Sequence, residues 1–207
     1  EFRRVLFRSF VLSSSDPAVR AAAVAETIQA LHIARRISFG VLVLHLGIPR
    51  GYPTRPGDHN RDAARRSLEE LLAAAGPLGV RLAVEVIPND LSTAEALVDF
   101  IDEVLDGAPV GICLDVGHAH LNGDVVDQLE TVAEHLIATH LHDNRGRADE
   151  HLVPFEGTVN WPSTLTTLRK VGYDGVLTFE LAAKGPYRST LDRARQARVR
   201  VDRLLDV

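Results

Sequence analysis

Five short aliphatic runs alternate with amphipathic segments along the chain, and this beat constrains the fold more than any other feature of the sequence. The runs are 40–45, 82–86, 110–115, 137–142 and 175–180. Between them apolar residues recur at helical spacing. One helix is expected from Ser15 or Asp16 to Arg36, and others over 61–75, 92–105, 125–135 and 161–170, with an Arg-rich helix closing the chain. Strands that are apolar on both faces and separated by one helix each lie parallel, because a helical crossover returns the chain to the same end of the sheet. The expected class is therefore α/β, with five strands and six helices. A doubly wound open sheet and a (β/α)8 barrel both satisfy the pattern. No Gly-x-Gly-x-x-Gly follows a strand and no Gly-x-x-x-x-Gly-Lys-[Ser/Thr] occurs, so the nucleotide-binding open sheet has no support.

Composition narrows the function classes. The 207 residues are 45% hydrophobic and 25% charged, enough to bury a core as one domain or two small ones. No run reaches the roughly 18–20 apolar residues of a membrane span. Cys113 is the single cysteine, which excludes a disulfide framework or thiolate cluster and points to a reducing cytoplasm. The net charge of −5 argues against nucleic acid as a partner. Lys170 and Lys184 are the lysines among 23 Lys and Arg residues. The arginines gather at the ends, and Arg193, Arg195, Arg198, Arg200 and Arg203 beside Asp192, Asp202 and Asp206 read as a solvated helix face. The chain has no methionine, and 1–9 reads as a non-native scar joined to a gene fragment. The expected organisation is that scar followed by one domain over 10–207, with upstream sequence missing.

Each strand run carries a metal-ligand residue type at or near its end: His45, Glu85, Asp115, His140 and Glu180. An ionisable group on a buried strand costs several kcal/mol unless it is paired, so five at one relative position call for a common cause. In a parallel barrel these ends open onto one face, where a cation would reconcile them. His118 follows Asp115 by three residues, Asp149 and His151 form an Asp-x-His pair, and His142 shares a strand face with His140. Oxygen and imidazole donors without thiolate suit Mn, Co, Mg or Zn in a catalytic site. His45 has an equally good reading as a satisfied core histidine. His118 and His151 read as ligands or as partners of ligands, and His142 as a substrate contact or a support. His32, His59, His120 and His135 read as surface or helix residues.

Four ordered blocks carry a resemblance. They are 82–85 with 111–118, His140-Leu-His-Asp-Asn-Arg-Gly with Asp149-Glu-His151, Gly157-Thr-Val-Asn-Trp161, and Gly172-Tyr-Asp-Gly175 with Phe179-Glu180. Over about residues 10–207 the chain resembles the xylose isomerase-like TIM-barrel superfamily of sugar phosphate isomerases and epimerases, which also contains the endonuclease-four DNA-repair enzymes. The resemblance implies a (β/α)8 barrel of which about strands 4 to 8 are present, with open sheet edges that would make this remnant unstable. It implies that Glu85, Asp115, His140 and Glu180 hold the catalytic divalent metal. It gives His118 a substrate contact in epimerases, and a further metal in the nuclease branch, shared with Asp149 and His151. His45 matches another metal ligand there. The sequence departs from the family's Pro-Gly-Glu-Gly, reading Val153-Pro-Phe-Glu-Gly157.

The implied function is a divalent-metal-dependent sugar (phosphate) isomerase or epimerase working through a metal-stabilised enediolate. Glu85 and Glu180 would move the proton, His118 would orient substrate, and His142 and Arg145 would bind it. The cofactor would be Mn, Co or Mg. The alternatives are a zinc phosphodiesterase acting on abasic DNA, and an inactive fragment or non-catalytic sugar-binding relative. The expected partner is a small sugar or polyol, with homo-oligomerisation left open.

Overall fold

A computed structural model describes residues 11–105, 107–183 and 185–206, so the 1–9 segment lies outside the described residues. The chain forms two compact units, Glu1–Ile112 and Cys113–Val207. The first holds helix α1 (Pro17–Arg36), strand β1 (Val41–Leu44), α2 (Arg61–Ala75), β2 (Arg81–Glu85) and α3 (Ala94–Val104). Strand β3 (Val110–Asp115) crosses the boundary. The second unit continues with α4 (Val116–Asn122), α5 (Val125–Thr131), β4 (Leu136–Leu141), α6 (Trp161–Lys170), β5 (Leu177–Phe179) and α7 (Tyr187–Leu205). Strand order in the sheet follows the chain, β1-β2-β3-β4-β5.

In the first unit the caps fix where helices begin. Asp16 accepts from the Ala18 amide at 2.9 Å, and Pro17 sits at the first turn, where its missing N–H costs nothing. Asn60 accepts from Ala63 at 2.8 Å, and Thr93 accepts from Ala96. Such caps stabilise a helix start by about 1 kcal/mol each. The face Ala63, Ala64, Leu68, Leu71 and Ala75 of α2 is buried, as are Leu82, Ala83 and Val84 of β2. β1 and β2 pair in parallel, Val41 opposite Arg81 and Leu44 opposite Val84.

In the second unit β4 and β5 pair in parallel, Thr139 opposite Leu177. The structure adds one helix to the six expected, making seven among the described residues. The addition is α4, where a loop was expected. Asp115 ends β3 and immediately caps α4, accepting the His118 amide at 2.7 Å, so strand passes into helix with no linking residues. The helix expected over 125–135 stops at Thr131, and Ala133–His135 forms a tighter 3-10 turn. Among the described residues no helix is long and apolar enough to cross a membrane.

Candidate metal centre

Every side chain of β3 is buried, and Asp115, at its carboxyl end, is fully so. Its Oδ1 caps α4, whereas its Oδ2 has no hydrogen-bond partner. His140 Nδ1 lies 4.0 Å from that oxygen and 3.1 Å from Glu180 Oε2. A buried carboxylate oxygen left unpaired costs several kcal/mol, and a cation removes that cost. Two carboxylates and an imidazole therefore fit a divalent metal by donor type and by this orphaned oxygen. Glu180 is the most open of the three, with 39% of its side chain exposed. In the first unit Glu85, the last residue of β2, is buried, and its Oε2 lies 2.9 Å from His45 Nε2. His45 is thus the contact of Glu85.

A second donor group lies wholly within the second unit. His118, His142, Asp149 and His151 each bring one ligand atom to within 4.8 Å of the others. His151 Nε2 is 3.0 Å from Asp149, and His118 Nε2 and His142 Nε2 are each 3.7 Å from it. The His142 and His151 rings stack at 4.0 Å. His118, expected in a loop, stands in the first turn of α4, buried like His142 and His151. Gly117 makes room for this packing, since a Cβ there would collide with the His142 ring. Gly117→Ala should cost about 1–3 kcal/mol by overpacking, lowering Tm by several degrees in a thermal melt. An unchanged Tm would mean that the ring is not held there.

Burial alone would raise the Asp149 carboxyl, but hydrogen bonds and charge from His118 and His151 outweigh it and hold the group well below the usual carboxylate range. Burial likewise favours neutral His151, yet the bond and charge of Asp149, then Glu180, raise it above the ordinary 6.5. The depressed Asp149 stabilises the fold above its unfolded value of 3.8, a gain lost as pH falls through the folded value. The raised His151 stabilises fully below 6.5, a gain lost as pH rises through its folded value. In chelator, Asp149→Asn should therefore lower Tm more at about pH 5.5 than at about pH 8.5. Equal losses at both would show that the pair contributes no pH-dependent stability.

Arg145, expected to bind substrate, is engaged by Glu150: Nη1 reaches Oε1 at 2.6 Å and its amide reaches Oε2 at 3.0 Å. Asp143, which no sequence pattern marks, organises the loop carrying Asp149 and His151. Fully buried, it accepts Trp161 Nε1 (2.8 Å), Phe155 N (2.9 Å), Asn144 N (2.9 Å) and Val159 N (3.1 Å). Its backbone bridges Leu152 in both directions at 2.8 Å. Phe155 adopts a left-handed φ of 75° at a position where the family pattern has glycine. Arg200 lies over its ring at 3.8 Å, and Arg193 holds the next residue, Glu156, through both carboxylate oxygens.

A family model described as Xylose isomerase-like TIM barrel matches residues 4–203. The chain belongs to this family. As a xylose isomerase-like barrel chain, it carries its clustered donors at strand ends and in the following loops, where such folds build their sites. An uncharacterised protein of Methanocaldococcus jannaschii is 34% identical over 121 residues, 55% of this chain and 41% of that protein. L-Ribulose-5-phosphate 3-epimerase of Salmonella paratyphi C is 28% identical over 176 residues, 84% of this chain and 61% of the enzyme. The chain thus spans less than two thirds of these relatives. The crystal structure of a D-tagatose 3-epimerase-like protein superposes with a TM-score of 0.80 at 26% identity, over 97% of this chain and 74% of that one.

Proposed function

We propose that this xylose isomerase-like protein is a sugar isomerase or epimerase that depends on a divalent metal, Mn, Co or Mg, and acts in the cytoplasm on a ketose or its phosphate. The carrying observation is Asp115 Oδ2, buried without a hydrogen-bond partner in a group with His140 and Glu180. The sugar class is supported by the epimerase relative that aligns with 84% of the chain. In this reading Glu85, Asp115, His140 and Glu180 are the ligands. The bound cation would acidify the C–H next to a ketose carbonyl. His140 Nδ1 holds the carboxylate of Glu180, whose exposed part would meet substrate. Glu180 and Glu85 would remove and return the proton, and inversion at carbon requires two such groups, one for each face.

The test is solvent-deuterium uptake into free and phosphorylated ketopentoses and ketohexoses in the presence of Mn, Co or Mg. Uptake at the carbon beside the carbonyl is expected. Cleavage of abasic-site DNA with no uptake into any sugar would favour the second reading, a zinc phosphodiesterase. The observation favouring that reading is the donor group around Asp149, which a one-metal epimerase does not require.

A further inference from the structure

We propose that Arg193 and Arg200 of α7 are positioning residues for Glu180: together they fasten the turn at Phe155 and Glu156, and the loop so held fixes the segment 180–182. The proposal rests on the reading of Glu180 as an acid or base. Thr190, Ala197 and Val201 are buried on α7. Arg193 and Arg200 share that side of the helix, since seven residues make about two turns. They therefore leave the solvated face expected of them, whereas Arg195 and Arg198 keep to it, paired with Asp192 and Asp202. Arg193 Nη1 donates to both carboxylate oxygens of Glu156, at 2.9 and 2.8 Å. Its Nε donates to the Ser189 carbonyl at 3.3 Å and its Nη2 to Thr190 Oγ1 at 3.4 Å. A guanidinium tied on three sides is already ordered, unlike the lone surface pair whose ordering cost cancels its attraction.

Phe155 carries the strain that this fastening offsets. A left-handed φ is uncommon for a residue with a Cβ and persists only where the surroundings over-determine it. Here the Phe155 amide donates to Asp143 Oδ2 at 2.9 Å, the ring lies 5.6 Å from that of Trp161, and Arg200 covers it at 3.8 Å. Where the family pattern has glycine, free to take several conformations, this chain holds one. The held turn reaches Glu180 through the bridge of Asp143 to Leu152 and the residue before it, His151. His151 Nδ1 donates to the Glu180 carbonyl at 3.0 Å, and the His151 carbonyl accepts the Ala182 amide at 3.0 Å. Strand β5 ends at Phe179, so these bonds hold the backbone beyond the strand. Releasing the turn would let Glu180 shift with its carboxylate chemistry intact.

Turnover is read as deuterium uptake at saturating metal, beside amide exchange at Ala182 and Phe155. The double variant Arg193→Ala/Arg200→Ala should lower kcat about 10- to 100-fold at nearly unchanged KM, since a misplaced base slows the chemistry without loosening the bound sugar. Exchange at the Ala182 amide should quicken about tenfold. Arg193→Lys should keep most of the turnover, because a single nitrogen makes both bonds to Glu156. Arg195→Ala, on the solvated face, should change neither readout. A merely structural fastening would lower Tm and leave kcat of the folded protein intact. Unchanged Ala182 exchange in the double variant, or faster exchange with kcat intact, would overturn the proposal. No uptake by the wild-type chain would instead sink the sugar reading, and with it the catalytic role of this positioning, even if Ala182 exchange still responded.

Discussion

Glu180→Gln is expected to lower deuterium uptake into the sugar by about 10²- to 10⁴-fold, the usual contribution of a positioned acid or base. Glutamine keeps an oxygen that can face His140 Nδ1, now 3.1 Å from the carboxylate, but it can neither take the proton nor offer the cation a full charge. Glu85→Gln should have a comparable effect on inversion. His140→Ala should act on the cation itself, lowering metal content by elemental analysis and removing one of the two imidazoles beside the Glu180 carboxylate. Because Glu85 and Glu180 are placed in both roles, turnover is read against metal content in each variant: lost turnover with metal retained marks proton transfer, and lost metal marks ligation. Full exchange in Glu180→Gln would remove Glu180 from the chemistry. Unchanged metal content in both Glu85→Gln and His140→Ala would remove the proposed ligand set altogether.

The second large effect is structural. Asp143→Ala should cost about 3–5 kcal/mol, because a buried carboxylate that accepts four N–H bonds leaves those donors unpaired when it goes. At roughly 2–4 °C per kcal/mol the melting temperature should fall by about 10 °C. Amide exchange should accelerate across 143–160 and leave the first unit unaffected. Asp143→Asn should lie between, since its NH2 group faces N–H donors on one side. If amide exchange in the loop were unchanged, Asp143 would not be what organises it.

The alternation of elements and the strand-end donors were legible because both follow from short-range periodicity. Asp115, His140 and Glu180 meet at one end of their strands because each stands near the carboxyl end of a parallel strand. Helix α4 was not legible: Val116-Gly117-His118 has a weak helical signal, and its start depends on Asp115 serving as strand end and cap together. Asp143 was equally hidden. An aspartate after a strand looks like any turn former, and its four donors come from residues up to 18 positions away. The histidine group fell between these cases. Its members were visible as ligand types, but the stacking of His142 on His151 depends on the room left by Gly117 and on the loop conformation held by Asp143.

The Asp143 network also bears on how quickly a cation could be captured. Asp149 and His151 sit on a loop tied at Leu152 to Asp143, at Thr158 to Asn144 and, through the His151 carbonyl, to Ala182. Donors held in place beforehand have little conformational search left to make. A cation taken up by these donors should then enter in a single kinetic phase, first order in the ion and insensitive to solvent viscosity, with the shedding of water from the ion as its slow step.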